Sequence, residues 1–373
     1  MTLAPILTGS DEIAGLAETL AKETAIAVDL EADSMHNYRE KICLMQFSSP
    51  RETWLVDPLA GADLEPLGTL LADPSRRKIF HAADYDLRCL RRDFGWQVHG
   101  LFDTMISCQF IGEEKFGLAD VLLKYFDVEL DKQFQRADWS QRPLSEGMIR
   151  YAAADTAYLH RLAEQLEARL LELGRREWLT EEFQLQEQVA FQENSGPLCV
   201  RIKGAGGLSR RQLGILEQLL QWREREAERR DQPPFKIMGN KTFLALAQNV
   251  PENLQELGAI EGLTPRVVDR YGKLLLKQIE SGQTLSDSSL PVFPRGERRR
   301  RDPEAETRLK TLKAWRSEAA ADYGIEPGVL INNAQLETLA HTSPDKIVEL
   351  PGLKNWQRQE FGDALLGLLA VTM

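Results

Sequence analysis

The stretch "AIAVDLEADS", residues 25–34, decides how the first half of this chain is read. Apolar residues lead in as they would on an interior strand, and then Asp29 and Glu31 arrive with only Leu30 between them. Side chains alternate along a strand, so Ala27, Asp29 and Glu31 share one face while Ile26, Val28 and Leu30 share the other. Two like charges about 6–7 Å apart at the end of an apolar strand repel, and taking them out of water costs free energy. Either the strand ends here with both acids solvated, or a divalent cation cancels both penalties. Acids elsewhere in the chain have to choose.

Around this stretch, short β-like runs alternate with helical ones. "KICLMQFSS" (41–49), "ETWLVDP" (52–58) and "KIFHAA" (78–83) have the apolar and β-branched content of strands. Helical periodicity marks residues 11–23, 86–94 and 117–126, and a single long helix over 145–173, with a further helix over 180–192. This mixture predicts an α/β domain, a mixed sheet flanked by helices. The turn-rich "NSGPLCVRIKGAGG" (194–207) marks its boundary.

Beyond residue 208 the strands stop and a repeat begins. "QWREREAERRDQPPFKIMGNKTFLALAQNVPENL" (221–254) resembles "AWRSEAAADYGIEPGVLINNAQLETLAHTSPDKI" (314–347). Trp222 and Trp315, Pro234 and Pro327, Asn240 and Asn333, and Ala247 and Ala340 each sit 93 residues apart, and Gly262 and Gly352 sit 90 apart. Two copies of one small all-α domain account for the pattern. The Ser/Pro-rich segment between them ends in an arginine run at 298–301. The expected boundaries are 1–205 for the α/β domain, 206–285 for the first helical domain, 286–303 for a linker and 304–373 for the second.

Bulk properties narrow the function classes. The 373 residues carry a net charge of −11, and 43% of them are hydrophobic, as in a soluble globular protein. Residues 1–207 hold 22 Lys+Arg against 34 Asp+Glu and the rest 24 against 23, so the acidic excess belongs to the first part and leaves basic patches free to meet phosphate elsewhere. No run approaches the ~18 apolar residues of a membrane span, and "MTLAPILTGSDE" lacks the basic flank of a signal peptide. The four cysteines have neither zinc-finger nor redox spacing, which points to a reduced cytoplasm. There is no G-x-S-x-G elbow, H-E-x-x-H pair or phosphate-binding glycine loop.

Two further places carry acids. In "KIFHAADYDLRCLRRDFG" (78–95), Asp84 and Asp86 fall where a helix begins, and helix capping explains both taken alone. Asp103, in "LFDT", is another strand-end acid, and sequence physics does not rank the three. In "IRYAAADTAYLH" (149–160), Asp155 lies inside an apolar helix, a poor place for aspartate, four residues after Tyr151 on the same face. A buried Tyr–Asp hydrogen bond would be the packing explanation. His81 reads as a satisfied strand-end histidine.

D-x-E on a strand, an Asp following "HAADY" and Y-x-x-x-D on a later helix together resemble the three motifs of the DEDDy 3′–5′ exonucleases. The order of the motifs, their structural contexts and the flanking "CLMQ" and "LFDT" carry the resemblance. The twin repeat resembles the helicase-and-RNase-D C-terminal (HRDC) domain, and the combination resembles the bacterial ribonuclease D family over nearly the whole chain. The resemblance implies a ribonuclease H-like exonuclease domain followed by two HRDC-type domains. It implies that Asp29, Glu31, Asp86 and Asp155 hold two divalent ions, Mg²⁺ or Mn²⁺, and that Tyr151 orients the attacking water. The family pattern places the third acid five residues after the histidine and so chooses Asp86, leaving Asp84 as a cap and Asp103 as a structural group. The product would be 5′-mononucleotides released from RNA 3′ ends, with tRNA precursors and other structured RNAs as partners, a monomeric protein, and no membrane or small-molecule cofactor.

Met35, His36 and Tyr38 in the loop after the acidic strand could stack on terminal bases, or the loop is an ordinary mobile one. Arg270, Lys273 and Lys277 fall at helical spacing and could meet phosphate, although a solvated helix face is the commoner reason for such a triple. Since the acids lie within the first 155 residues, removing residues 292–373 is expected to leave the chemistry intact and weaken RNA binding. Two other functions fit the same residues: a 3′–5′ exonuclease on single-stranded DNA, and a non-catalytic RNA-binding protein on a nuclease fold.

Overall fold

The computed structural model describes residues 4–191, 195–293, 302–343 and 346–372. Six strands form one mixed sheet: β1 (Ile6–Leu7), β2 (Ala25–Ala32), β3 (Ile42–Ser48), β4 (Thr53–Val56), β5 (Arg77–Phe80) and β6 (Leu101–Asp103), in the order β1-β4-β3-β2-β5-β6. β3 runs antiparallel to its neighbours β2 and β4, while β5, β6 and β1 add in parallel. The acidic strand β2 is therefore central, which is why its lead-in is apolar on both faces: Ile26, Ala27 and Val28 are fully buried. β1 and β6 are two and three residues long, too short to leave an alternating pattern; β1 had no counterpart in the sequence reading, and β6 only the placing of Asp103 at a strand end.

The helices of this domain are α1 (Ser10–Leu20), α2 (Glu65–Ala72), α3 (Asp84–Phe94), α4 (Thr104–Ile111), α5 (Leu118–Phe126), α6 (Glu146–Ala157), α7 (Leu159–Glu172) and α8 (Arg176–Glu187). The long helix expected over 145–173 is in fact two, α6 and α7, broken at Tyr158, where φ is −105° and ψ is −7°. No glycine or proline marks the break. The sheet twist explains it: α6 packs on β2, β3 and β4 and α7 on β2 and β5, so one straight helix could not follow both halves. The small α2 and α4 were also missed, being only eight residues each.

The helical part consists of α9 (Arg210–Arg230), α10 (Pro234–Ile237), α11 (Asn240–Asn249), α12 (Leu254–Gly258) and α13 (Pro265–Gln283), then α14 (Pro303–Tyr323), α15 (Pro327–Leu330), α16 (Asn333–His341) and α17 (Asn355–Thr372). The repeat seen in the sequence is a repeat of hydrogen bonds. Arg223 donates to the Met238 carbonyl and to Asn240 Oδ1 (3.1 and 2.7 Å), and 93 residues later Arg316 donates to the Ile331 carbonyl and Asn333 Oδ1 (2.8 and 3.0 Å). Gly262 and Gly352 both adopt positive φ (90° and 83°), a turn that a side chain would strain.

The chain divides into two compact units that do not follow chain order. One comprises Met1–Ala32, Ile42–Phe191 and Arg299–Met373; the other comprises Asp33–Lys41 and Gln192–Arg298. In the first unit the second repeat is built into the core of the sheet domain. Trp178 of α8 stacks on Trp356 of α17 at 4.5 Å, and the buried Arg175 donates to the Phe110 and Tyr323 carbonyls. Glu181 accepts from the Asn355 and Trp356 amides at the start of α17, and Gly112 approaches Gly324 so closely that a Cβ would fall 2.1 Å from its carbonyl oxygen. Removing residues 292–373 would strip these partners from Phe110, Arg175 and Trp178, so the expectation of an intact nuclease after that truncation is withdrawn. In the second unit, α9, α11 and α13 close their own core around Trp222, with Tyr271 at 5.1 Å and Phe243 at 6.2 Å.

Candidate active site

β2 delivers Asp29 and Glu31 to its carboxyl end, opposite Gln46 and Leu44 of β3. α6 lies over that face of the sheet and brings Asp155 and Tyr151 to it. One carboxylate oxygen each from Asp29, Glu31 and Asp155 lies within 4.8 Å of the others. The thin Ala152–Ala154 surface of α6 permits this approach, with Ala152 fully buried.

Asp86, the fourth acid, stands outside that 4.8 Å group but close enough for its charge to act on Glu31, as that of Asp29 acts on it. Its position depends on the turn after β5. Ala82 there has φ of 65°, costly for a residue with a side chain, and the Ala82 and Ala83 amides both donate to the Asp103 carboxylate (3.0 and 2.8 Å). Asp103 also caps α4 through Met105 and Ile106 and accepts from Gln186. Its role is thus structural. Asp84 is not the helix cap it was expected to be: α3 has no side-chain cap, and Asp84 turns outward to pair with Arg88 at 2.8 Å. That leaves Asp86 as the member of the trio that is buried and close to Asp29. His81 bonds Thr104 Oγ1 through Nδ1 at 2.9 Å, a structural tie at the same turn.

These acids are poised against ionisation in the metal-free protein. Burial pushes Asp29 up to about 7. Burial and then the Asp29 charge push Asp155 up to about 8. Glu31 is held well above the carboxylate range by burial and by Asp29, Asp155 and Asp86, and Asp86 by burial, Asp29 and Asp103. Burial, followed by Asp155 and Glu31, also raises the Tyr151 hydroxyl, keeping it protonated. No hydrogen bond joins Tyr151 to Asp155 among the described residues; the ring instead packs against Phe134 and Trp139 (6.1 and 6.0 Å) with the hydroxyl left to the cleft. All the donors are hard oxygens, and several carboxyl groups gathered in one place, whose protons a cation would displace, suit a divalent cation of the Mg²⁺ or Mn²⁺ kind.

The cleft of about 290 Å³ in front of them is also lined by Asp120, Asp131, Lys132 and Gln135, none of which the sequence reading singled out. They come from the start of α5 and an irregular loop, where no periodicity marks a residue as inward-facing. The loop that carries Met35, His36 and Tyr38 is tied down. In the second unit the segment Asp33–Lys41 is pinned to α9: the Tyr38 amide donates to Asp231, Arg39 pairs with Glu228 at 2.8 Å, and Tyr38 lies against Glu224. Met35 is exposed, His36 is half-buried and itself bonded, and Tyr38 is committed to the helix. Arg270, Lys273 and Lys277 lie exposed along α13. The arginine run 298–301 lies outside the described residues.

Comparison with known proteins agrees with this geometry. Residues 5–171 match the 3′–5′ exonuclease family model, and residues 212–279 and 305–369 each match the HRDC domain. The chain is 31% identical to ribonuclease D of Gluconacetobacter diazotrophicus over 97% of its own length and 92% of the relative's. It is 32% identical to ribonuclease D of Pseudomonas paraeruginosa, covering 92% of each. Among solved structures it is similar to Escherichia coli RNase D, described as an exoribonuclease involved in structured RNA processing, with a TM-score of 0.74, 29% identity and coverage of 100% and 99%. It is also similar to the catalytic core of RRP6 from Trypanosoma brucei (TM-score 0.65, 28% identity, 75% and 79% covered).

Proposed function

From the premise that this chain belongs to the ribonuclease D family and is a 3′–5′ exoribonuclease, we propose that it trims the 3′ ends of structured RNAs, tRNA precursors among them, through the acids gathered at the end of β2. The observation that carries the reading is the convergence of Asp29, Glu31 and Asp155 under the hydroxyl of Tyr151, with Asp86 beside them. Asp29, Glu31, Asp86 and Asp155 would hold two divalent ions, Mg²⁺ or Mn²⁺. Bound there, such ions lower the pKa of a water and stabilise the charge that develops on the leaving 3′ oxygen. Tyr151, protonated across the physiological range, donates its hydroxyl to orient the attacking water, and its ring is fixed by Phe134 and Trp139. Chain cleavage then releases a 5′-mononucleotide and leaves a new 3′-hydroxyl end. Arg270, Lys273 and Lys277 on α13 supply phosphate contacts to folded RNA.

Residues 1–205 act as the catalytic domain, and 206–285 and 304–373 as HRDC-type domains joined by the 286–303 linker. The protein works as a cytoplasmic monomer; no helix among the described residues is long and apolar enough to cross a membrane. The test is digestion of matched RNA and DNA oligonucleotides and of a 3′-extended tRNA precursor, with Mg²⁺, with Mn²⁺ and with EDTA. Metal-dependent release of mononucleotides from RNA ahead of DNA is expected. Equal or faster digestion of DNA would favour a single-stranded DNA exonuclease, and binding without release would favour a non-catalytic RNA-binding protein.

A further inference from the structure

Gln46 sits in β3, all seven residues of which are buried, and is itself inaccessible to solvent. Neither its amide oxygen nor its amide nitrogen has a hydrogen-bond partner among the described residues. A buried amide left that way carries its full desolvation penalty, and native proteins rarely keep one without a use. Leucine or methionine would fill the same space without that penalty.

The register shows what the amide is next to. Gln46 lies directly opposite Asp29 in the antiparallel pairing of β2 with β3, and opposite Leu55 on its other side. Directly opposed residues project from the same face, with Cβ atoms about 5 Å apart. The same face of β3 carries Ser48, which hydrogen-bonds Thr156 Oγ1 on α6 at 2.6 Å, the residue after Asp155, and Leu44, which opposes Glu31. The amide is therefore enclosed between the sheet and α6, beside the carboxylate of Asp29.

We propose that Gln46 is the positioning residue for Asp29, its Nε2 donating to the Asp29 oxygen turned away from a bound cation. This rests on the reading that Asp29 holds a metal. A carboxylate that gives one oxygen to a cation keeps a second that needs a donor, and outer donors of this kind fix a ligand's orientation and tune its affinity. A carboxamide suits the position. It donates without bringing a positive charge that would compete with the cation, whereas arginine or lysine would neutralise Asp29 themselves.

The test uses the full-length protein without RNA. Mn²⁺ binding is measured by titration calorimetry for the wild type, Gln46→Leu and Asp29→Asn, with the metal-free melting temperature of each. Gln46→Leu is expected to bind Mn²⁺ about 10–100-fold more weakly and to melt at the same or a higher temperature without metal. Unchanged Mn²⁺ binding in Gln46→Leu would overturn the inference, as would a marked fall in its metal-free melting temperature, which would make the amide a packing group. Mn²⁺ binding that survives in Asp29→Asn would overturn the metal assignment itself and this inference with it.

Discussion

Two groups of buried and half-buried carboxylates stand side by side in the sheet domain, and they differ in what they touch. Asp103 is fully buried and accepts from four backbone amides and Gln186. Asp57, nearly as buried, is held by both arms of Arg142 and by the Leu59 amide, which keep it below the usual carboxylate range despite its burial. Asp86 and Asp155 are nearly as buried, and Asp29 and Glu31 are half-buried beside the cleft, yet among the described residues no cation pairs with them and only the Leu30 amide supports Asp29. The first group is complete as the chain folds. The second is finished by something the chain does not supply, and that difference, more than acidity or burial, separates structural from functional acids here.

The contrast can be broken most forcefully at Asp29. Asp29→Asn keeps the shape and removes a ligand, so RNA hydrolysis should fall by at least about 10³-fold while folding and RNA binding persist. Substantial activity in contamination-free protein would place Asp29 with the structural acids. Tyr151→Phe should fold normally, keep its Mn²⁺ affinity and lose roughly 10²-fold in kcat; a variant that fails to fold would show that the hydroxyl serves packing.

Asp103→Ala tests the other side of the comparison. It leaves the Ala82, Ala83, Met105 and Ile106 amides without their acceptor and should cost about 3 kcal/mol in stability, read by denaturant unfolding. Wild-type stability in that variant would dissolve the distinction.

The smallest effect is one of pH. Asp29 and Asp155 sit at about 7 and 8 in the folded, metal-free protein against about 3.9 in an unfolded chain. Between those limits the folded state holds the extra protons, so the contribution of these two carboxyls to metal-free stability is fully present below about pH 4 and is lost as the pH rises towards 8. Asp29→Asn removes part of that slope. It should melt roughly a few degrees above the wild type at pH 8 without metal and level with it near pH 4. Parallel curves for the two proteins would contradict the raised pKa.

Much of this was legible in the sequence because the site residues violate local rules. Two acids ending an apolar strand, and an aspartate inside an alanine-rich helix, are costly placements that point to a use, and the structure brings Asp29, Glu31 and Asp155 together. Asp86 needed the family pattern, since Asp84 is equally well placed along the chain and differs only in facing outward to Arg88. Gln46 falls within "CLMQ", but a glutamine in a strand becomes conspicuous as a site residue only when its surroundings are known to be apolar. The repeats were legible as repeats; their different fates were not. Trp222 and Trp315 occupy equivalent places, but what Trp356 stacks on is decided by Trp178, far away in the chain.

The most direct test is anomalous scattering from crystals grown with Mn²⁺. The account predicts manganese coordinated by Asp29, Glu31 and Asp155, with Asp86 completing the site, and no manganese at Asp103 or Asp57. A map with no peak among those four acids would contradict it.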